Sequence, residues 1–303
     1  MGKKRLGKVA VYIISTIAIV LWGLSYIWSD RLLRLGIPVE YFVFVRTLVA
    51  GFILLIFNII AGYNIRIRRR DSFKFLVLAA CEPFVYFLCE TYGIQLTESP
   101  TYSALIIAMT PLVATGAGVL FFKEKLSWLN VVGMLVCLGG LTMVTLCAST
   151  VGEYFIFGIL LLIVAVFAEV GHASFTKSLS GDYKPQVIVM YQFLIGSAFL
   201  FPLFMTKGMR HFEYSFYMSW AVWEPILCLA VLCSSLAFSL WVSSIKSLGV
   251  AKSSIFQAMI PVVTAVAGVV LGSERLTKLQ WCGIAVAIAG LILTQTVVKR
   301  KNC

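Results

Sequence analysis

The chain has 303 residues, of which 60% are hydrophobic and only 13% are charged. A globular domain averages roughly 25% charged residues, so this composition excludes a soluble protein of this length. The formal net charge of +12 raises the question of an anionic partner. However, the basic residues form short clusters at the ends of apolar runs, which is typical of membrane topology signals and not of nucleic-acid binding. The sequence predicts an all-α integral membrane protein whose partner is the lipid bilayer.

Apolar runs of about 20 residues recur along the chain, and each is long enough to cross a hydrocarbon core of roughly 30 Å. The first run follows basic residues, as a signal peptide would, but it ends in bulky Trp28 and more runs follow. We therefore expect an uncleaved first helix. The predicted spans 1 to 10 cover residues 9–28, 39–61, 73–93, 101–122, 127–148, 154–176, 186–206, 220–245, 250–272 and 278–298.

The lysine and arginine residues are divided unevenly between the two faces of these spans. With both termini in the cytoplasm, 18 of the 25 lie on the cytoplasmic side, six lie on the other side, and Arg46 lies inside span 2. Because the loops are short, this bias is a usable positive-inside signal. It predicts ten spans in a cell membrane, inner or plasma, with cytoplasmic termini, since one missed helix would move the later clusters to the opposite side.

An internal repeat relates the two halves of the chain. Residues 100–141 align without gaps with residues 250–291, and 15 of the 42 positions are identical, including Pro111/Pro261 and Glu124/Glu274. Shared apolar composition is the alternative explanation, but it does not readily place proline and glutamate at matching positions. Duplication predicts two five-span units, residues 1–148 and 149–303, and an odd number of spans inverts the second unit. Inverted repeats are typical of carriers that open alternately to the two sides.

Acidic residues inside span 3 are costly to insert, and such residues usually face a cavity and serve function. Glu82, Tyr86 and Glu90 are spaced by four residues, so a continuous helix would place them on one face. Pro83 removes one backbone donor and is expected to loosen the helix beside Glu82. We predict that Glu82 or Glu90 binds a cationic group or carries a coupling proton. The alternative is a protonated carboxyl that bonds a neighbouring helix and has only a structural role.

Span 6 contains a second polar pair. Glu169 and His172 are three residues apart and share a helix face. Glu-x-x-His is also a di-iron pattern, but that site needs a second copy and further glutamates. Since the chain has only two histidines, we expect no metal and no other cofactor. A proton-sensitive pair and a structural hydrogen bond are the two interpretations that stay open.

Four other residues of the spans are candidates for the pathway or its gates. Pro111 and Pro261 lie mid-span at equivalent positions, where each could be a tolerated kink or part of a pair of gating helices. Trp22 and Tyr26 are four residues apart on span 1 and either line an aromatic wall or are simply packed. Arg46, in contrast, is expected to anchor span 2 by snorkelling or by pairing with Glu40.

Three features together are typical of a known family: Trp22-Gly23-Leu24-Ser25, Arg46, and two copies of one pattern, Pro111, Gly118, Glu124, Leu126, Gly133 and Pro261, Gly268, Glu274, Leu276, Gly283. On these residues the chain resembles the drug/metabolite transporter superfamily, specifically proteins with two EamA-type domains. The resemblance covers nearly the whole chain. The resemblance implies ten helices, cytoplasmic termini, and a central cavity formed mainly by spans 1, 3, 4, 6, 8 and 9. It also implies substrates such as amino acids, other metabolites or drugs, often exported. Glu169 and His172 depart from it, since mostly apolar or small polar residues are expected there.

Taken together, the repeat and the resemblance predict a secondary transporter. It would export a small organic solute, such as an amino acid, a metabolite or an amphipathic drug-like compound, by alternating access. A membrane-embedded receptor, scaffold or enzyme is the alternative. The sequence contains no HExxH motif and no pair of aspartates inside the spans, and the short loops leave no room for a nucleotide site. We therefore expect no enzymatic activity.

Overall fold

A computed structural model describes residues 8–113, 128–146, 154–210, 212–249, 253 and 256–296. Within these ranges every regular element is helical. Six helical segments there are long and apolar enough to cross a membrane, and they coincide with predicted spans 1, 2, 3, 6, 7 and 8. The described parts of the other four predicted spans form shorter apolar helices, so the count of ten crossings stays a prediction. The six are Val9–Arg34, Val39–Ile60, Arg69–Thr97, Phe155–Leu179, Pro185–Gly208 and Trp220–Leu248, and the four are Pro100–Val113, Val131–Val144, Ile260–Val270 and Lys278–Leu293.

We label the helices of the described residues in chain order. They are α1 (Lys8–Arg34), α2 (Val39–Ile60), α3 (Ser72–Ala79), α4 (Tyr86–Thr97), α5 (Pro100–Ile107), α6 (Trp128–Leu146), α7 (Phe155–Leu179), α8 (Pro185–Leu203), α9 (Tyr214–Tyr217), α10 (Trp220–Leu227), α11 (Phe238–Leu248), α12 (Ile260–Val270) and α13 (Lys278–Thr296). Wide π-helical turns occupy Ala80–Val85, Phe204–Gly208 and Cys228–Ala237.

Local sequence explains where several helices begin and end. The hydroxyl of Ser99 accepts a hydrogen bond from the backbone N–H of Tyr102, and Pro100 occupies the first turn of α5, where its missing N–H costs nothing. Helix α8 likewise begins at a proline, Pro185. Helix α11 ends before Gly249, whose φ of +84° is a backbone conformation that residues with a Cβ rarely adopt.

Large apolar side chains cover much of the outer surface. Ile60 is 81% exposed and Phe167 is 60% exposed, and both belong to segments long enough to cross a bilayer. A soluble monomer rarely exposes contiguous apolar surface on this scale, whereas hydrocarbon tails would cover it. Three polar residues within these segments, Glu82, Glu169 and His172, are buried instead.

The helices pack in reciprocal pairs. If the two halves of the predicted repeat are exchanged, the following observed pairs become themselves or another observed pair, as a two-fold relation requires. Three pairs of predicted spans are their own counterparts: spans 2 and 7 (α2 with α8), spans 4 and 9 (α5 with α12), and spans 5 and 10 (α6 with α13). Two further sets exchange: α4 on α7 with Cys228–Ala237 on α1, and α12 on α1 with α5 on α7.

Helices α6 and α13 meet through equivalent glycines. A methyl group added at Gly140 would overlap the backbone of Ala287 and lie 2.6 Å from the carbonyl oxygen of Gly283. At the equivalent Gly290, it would overlap Cys137 and lie 2.7 Å from the carbonyl oxygen of Gly133. The two contacts are therefore mirrored between the helices, and they allow the backbones to approach closely.

Contacts between loops gather at two ends of the bundle. Each contact joins helix ends or loops that the ten-span prediction places at the same face. On the predicted outer face, Arg31 lies 2.6 Å from Glu224, Lys207 lies 3.9 Å from Glu40, and Arg34 donates to the carbonyl of Ser273. On the predicted cytoplasmic face, Tyr183 donates to Asp71, Arg68 lies 3.4 Å from Asp182, and Lys246 donates to the carbonyl of Tyr183.

Candidate functional site

A narrow central cavity lies between the two halves of the predicted repeat. Its volume is about 30 Å³, and it is lined by side chains of α1, α2, α4, α5, α7, α11 and α12 and of the connecting turns. All seven residues predicted for the pathway lie on its wall, although their role in transport stays a prediction. They are Trp22, Tyr26, Glu82, Tyr86, Glu90, Glu169 and His172.

Glu82 reaches the cavity from an interrupted helix. Its backbone is extended, with φ of −148° and ψ of 122°, in the turn between α3 and α4. Proline disfavours the helical conformation of the residue before it, so Pro83 accounts for this interruption, as the sequence predicts. The expectation of one continuous helical stripe is wrong, because only Tyr86 and Glu90 lie on the regular helix α4. The three side chains still line the same cavity.

Glu82 and His172 form a buried pair. The Nδ1 atom of His172 lies 2.9 Å from Oε2 of Glu82, and both side chains are at most 5% exposed. On the other side of the ring, Nε2 lies 3.2 Å from Oε1 of Gln192 and 3.2 Å from the hydroxyl of Thr176. An imidazole held this way can pass a proton to or from the carboxylate, because a ring nitrogen and a carboxylate oxygen are in direct contact.

Glu90 lies on the same wall and accepts a hydrogen bond of 2.8 Å from the hydroxyl of Tyr86. Its side chain is almost fully buried, at 6% exposure. A buried carboxyl with a neutral hydroxyl partner still lacks a partner of opposite charge at hydrogen-bond distance. The cavity is therefore an environment in which added positive charge is favourable.

Glu169 connects the two helices that contain the matched prolines. Its Oε2 accepts a bond of 2.9 Å from the hydroxyl of Thr110, and its Oε1 accepts a short bond from the amide of Gln257. Thr110 precedes Pro111 directly, and Gln257 lies four residues before Pro261. One carboxyl of α7 thus bonds one residue from each half of the predicted repeat.

Both of these helices are interrupted at equivalent points. After α5 the chain turns at Ala108 and Met109 and resumes helical conformation at Thr110, and the second half turns at Ala258 and Met259 before α12. Pro111 and Pro261 stand at the starts of the resumed helices, where proline fits best. The two breaks flank the cavity, since Ile107 and Ile260 both line it.

Arg46 was assigned the wrong surroundings from sequence. Its side chain is 2% exposed and lines the cavity. The guanidinium carbon lies 3.9 Å from the centre of the Phe87 ring, and Nε donates to the hydroxyl of Ser234 at 3.3 Å. Glu40 instead accepts from Tyr92 and lies near Lys207. The short distance of Arg46 from the end of span 2 suggested that it anchors the span. Which residues contact Arg46 depends, however, on which helices pack against α2.

An aromatic wall completes the cavity. Trp22 packs against Phe238 and Trp241 with ring centres 4.9 Å and 5.2 Å apart, and its indole N–H donates to the carbonyl of Cys233. Tyr26 is buried beside it. Of the two interpretations of Trp22 and Tyr26, lining the cavity is the one that the geometry favours.

Sequence reasoning missed Phe238, Trp241, Gln257 and Thr110. The aromatic residues lie in an apolar run that gives no signal of its own. Gln257 and Thr110 could have been found as polar residues placed next to the paired prolines. Among the described residues no cluster of three His, Cys, Asp or Glu side chains is arranged to hold a metal ion.

Comparisons with known proteins agree over nearly the whole chain. The model of the EamA-like transporter family matches residues 9–146 and 156–296. The uncharacterized transporter YetK of Bacillus subtilis is 27% identical, covering 99% of this chain and 89% of the relative. The uncharacterized inner membrane transporter YicL of Salmonella typhimurium is 24% identical, covering 99% of both. A probable terminal-alkyne amino-acid exporter of Streptantibioticus cattleyicolor is 26% identical over 66% of each chain.

A solved crystal structure has a similar fold. Its TM-score to this chain is 0.72, with 15% sequence identity, and the match covers 97% of this chain and 99% of the other. A likeness at this identity concerns the fold alone.

Proposed function

Because the chain belongs to the EamA-like transporter family, we propose that it is a secondary transporter that moves a small organic solute by alternating access. The main observation in support of this proposal is the buried cavity, which contains three carboxylates and lies between two helices that are broken at equivalent positions. Such charges are expensive in a membrane and are usually placed where a solute or an ion passes. Discontinuous helices at a repeat interface are where carriers bind their cargo.

The proposal includes ten spans in two inverted units, residues 1–148 and 149–303. The reciprocal helix pairs and the mirrored glycine contacts of α6 and α13 support a two-fold relation. The polar contacts near the helix ends fall into two groups, and this supports ten spans whose connecting loops lie alternately on the two faces of the membrane. The excess of Lys and Arg supports a cell membrane with cytoplasmic termini.

The seven predicted residues of the cavity wall form the pathway in this proposal, and Pro111 and Pro261 belong to its gates. The Glu82–His172 contact and the bonds of Glu169 supply groups that could carry a coupling proton. Export is the proposed direction, since one relative is named an exporter. An amino acid, a metabolite and an amphipathic drug-like compound are the proposed classes of cargo.

The inverted topology is tested by labelling single cysteines in a cysteine-free background. Ser127→Cys and Thr277→Cys occupy equivalent positions of the repeat. An impermeant maleimide added to intact cells should label Thr277→Cys and should label Ser127→Cys only after the cells are opened. Labelling of both residues from one side would overturn the inverted arrangement.

Transport itself is tested in proteoliposomes that contain the purified full-length protein. A panel of amines, amino acids and nucleosides is offered with and without a pH gradient, and uptake is measured by mass spectrometry. At least one solute should cross faster than in protein-free vesicles, and collapsing the pH gradient should slow it if a proton is coupled. No uptake of any class above that of protein-free vesicles would contradict the proposed function.

A further inference from the structure

The charges on the cavity wall do not balance. Among the described residues that line it, three side chains are carboxylic acids, Glu82, Glu90 and Glu169, and two can be positive, Arg46 and His172. Even with His172 protonated, at least one negative charge has no counterpart. An uncompensated charge in a buried site is costly, so the cavity requires a further positive charge, which is either a proton or a cationic group.

The contacts separate Glu82 from the other two carboxyls of the cavity wall. Glu82 is in direct contact with His172, whereas Glu90 accepts its hydrogen bond from the neutral hydroxyl of Tyr86. Glu169 likewise accepts its two side-chain hydrogen bonds from neutral donors, the hydroxyl of Thr110 and the amide of Gln257. Of these two carboxyls, Glu169 is the one that bonds both broken helices, and we therefore assign the excess charge to it. The titratable groups that surround it across the cavity are Glu82, Glu90, His172, Arg46, Tyr26 and Tyr86.

The remaining wall suits a cation with an apolar, ring-containing body. Trp22, Phe238 and Trp241 form a continuous aromatic surface, and the hydroxyl-bearing rings of Tyr26 and Tyr86 lie on the same cavity. Aromatic faces attract cations and bury apolar groups at once. An anion would be repelled by the excess carboxylate.

We propose that the solute is an organic monocation with an aromatic or similarly apolar body, and that its charged group and one proton bind alternately at Glu169. When the cation enters, the proton on the Glu169 carboxyl leaves to water; when the cation leaves, a proton returns. No covalent bond other than this O–H bond forms or breaks. The inference rests on the proposed function and names the solute class and the exchange for the same cavity.

The position of Glu169 would connect this exchange to movement. A carboxylate offers both oxygens as acceptors to Thr110 and Gln257, whereas a protonated carboxyl turns one oxygen into a donor. Exchange of a proton for a cation at Glu169 therefore changes the hydrogen bonds to both broken helices, one in each half of the predicted repeat. Binding at this residue changes the bonds that join the two halves.

Binding of four probes with one ring and different charged groups tests the solute class. The purified full-length protein in nanodiscs is titrated with 2-phenylethylammonium, 2-phenylethanol, phenylalanine and 3-phenylpropionate. Occupancy is followed by the intrinsic tryptophan fluorescence, to which Trp22 and Trp241 of the cavity wall contribute among seven tryptophans. We expect saturable binding of the ammonium probe alone. Equal binding of the neutral alcohol or the zwitterion, or saturable binding of none of the probes, would overturn the proposal.

Competition with a proton gives a second, independent readout. If one proton and the cation exclude each other at Glu169, the apparent Kd should rise up to tenfold for each unit of falling pH over the titration range of the site. Glu169→Gln should weaken binding of 2-phenylethylammonium by about 30-fold or more and remove this pH slope. Glu169→Asp keeps the charge and should retain the slope at weaker affinity. An unchanged slope in Glu169→Gln would overturn the exchange.

The matched control is Glu213→Gln, which changes a carboxyl outside the cavity wall and should bind like the unmodified protein. Thermal melting of each variant establishes that it is folded. Binding as expected without any flux in proteoliposomes would refute the transport function but leave the cation site intact. Flux of neutral or anionic solutes without the cation preference would refute the inference and leave the transport function intact.

Discussion

The central cavity and the α6–α13 pair differ in how far equivalent positions of the repeat carry the same residue. In the helix pair, equivalent positions carry equal residues, Gly133/Gly283 and Gly140/Gly290, and the contacts are mirrored. At the cavity, equivalent positions differ: Ile107 corresponds to Gln257, and Thr110 corresponds to Ile260. A symmetric frame needs identical packing on both sides. A cavity that holds one solute gains from unequal walls, because the solute has no two-fold symmetry of its own.

The comparison predicts that substitutions in the cavity impair transport and those in the helix pair impair stability. The largest effect is expected for Glu82→Gln, which removes the charge that His172 contacts at 2.9 Å. Truncating a buried, hydrogen-bonded charge pair costs at least about 2 kcal/mol, so flux in proteoliposomes should fall by about 30-fold or more. Glu82→Asp should recover part of it.

A matched control for Glu82→Gln is Glu224→Gln, which removes a carboxylate from an exposed pair with Arg31. Exposed pairs contribute about 1 kcal/mol or less, so its flux should stay close to that of the unmodified protein. Equal flux in Glu82→Gln and Glu224→Gln would show that the buried pair has no part in transport.

The next largest effect is expected in the helix pair for Gly140→Ala. The added methyl group would overlap the backbone of Ala287, which cannot rotate away. Overpacking of this kind costs about 1–3 kcal/mol, so the melting temperature in detergent should fall clearly. Transport per folded molecule should be retained, because no cavity residue changes.

Gly139→Ala is the control in the next position of the same helix. A methyl group there meets nothing within 4 Å, and the equivalent residue of the other half is already Ala289. Alanine is the better helix former by about 1 kcal/mol, so this variant should be as stable as the unmodified protein or slightly more so. If both variants melt alike, the glycine contact does not hold α6 and α13 together.

A smaller effect is expected from the prolines of the broken helices. Pro111→Ala and Pro261→Ala restore a backbone N–H and favour a continuous helix through each break. If the breaks move during the cycle, turnover should fall by roughly three- to tenfold with little loss of stability, since conformational steps often limit transport and catalysis. Pro202→Ala, in the exposed end of α8, should leave turnover unchanged. Equal turnover in all three variants would exclude gating at the breaks.

The sequence predicted the residues of the cavity better than their surroundings. Glu82, Glu169 and His172 were found because charged residues are rare in apolar spans, and this signal does not depend on the fold. The direct contact of Glu82 with His172 joins residues 90 positions apart. No periodicity within one span reports it, because it depends on which helices are neighbours.

Arg46 and the aromatic wall show the same limit. The position of Arg46 along span 2 was known from sequence, but its contact with Phe87 depends on how α2 is rotated against its neighbours. Phe238 and Trp241 lie in an apolar run where aromatic residues face lipid as readily as a cavity. The glycine pattern, by contrast, appears in both copies of the repeat. The sequence therefore indicated where close helix packing occurs, although it did not identify the helix on the other side of the contact.

The smallest predicted effect concerns Glu274, a part-buried carboxyl that lies outside both regions. It accepts hydrogen bonds from Ser99 and Thr101 at the start of α5. Burial raises the pKa of Glu274 above its ordinary value of 4.5, and these hydrogen bonds offset the rise only in part. A carboxyl with a raised pKa in the folded state binds its proton more tightly there than in the unfolded chain. Its contribution to stability is therefore fully present below about pH 4.5 and is lost as the pH rises through the raised value.

Glu274→Gln has no proton to lose at this position and keeps an acceptor oxygen for Thr101. Between about pH 4 and pH 7, the melting temperature of the unmodified protein should therefore fall by a few degrees relative to this variant. Glu98→Gln, at an exposed neighbouring position, should show no such difference. A rise of the unmodified protein relative to Glu274→Gln would mean that the hydrogen bonds outweigh burial. In that case Glu274 would be a stabilising latch between α5 and the loop before α13, most effective when it is ionised.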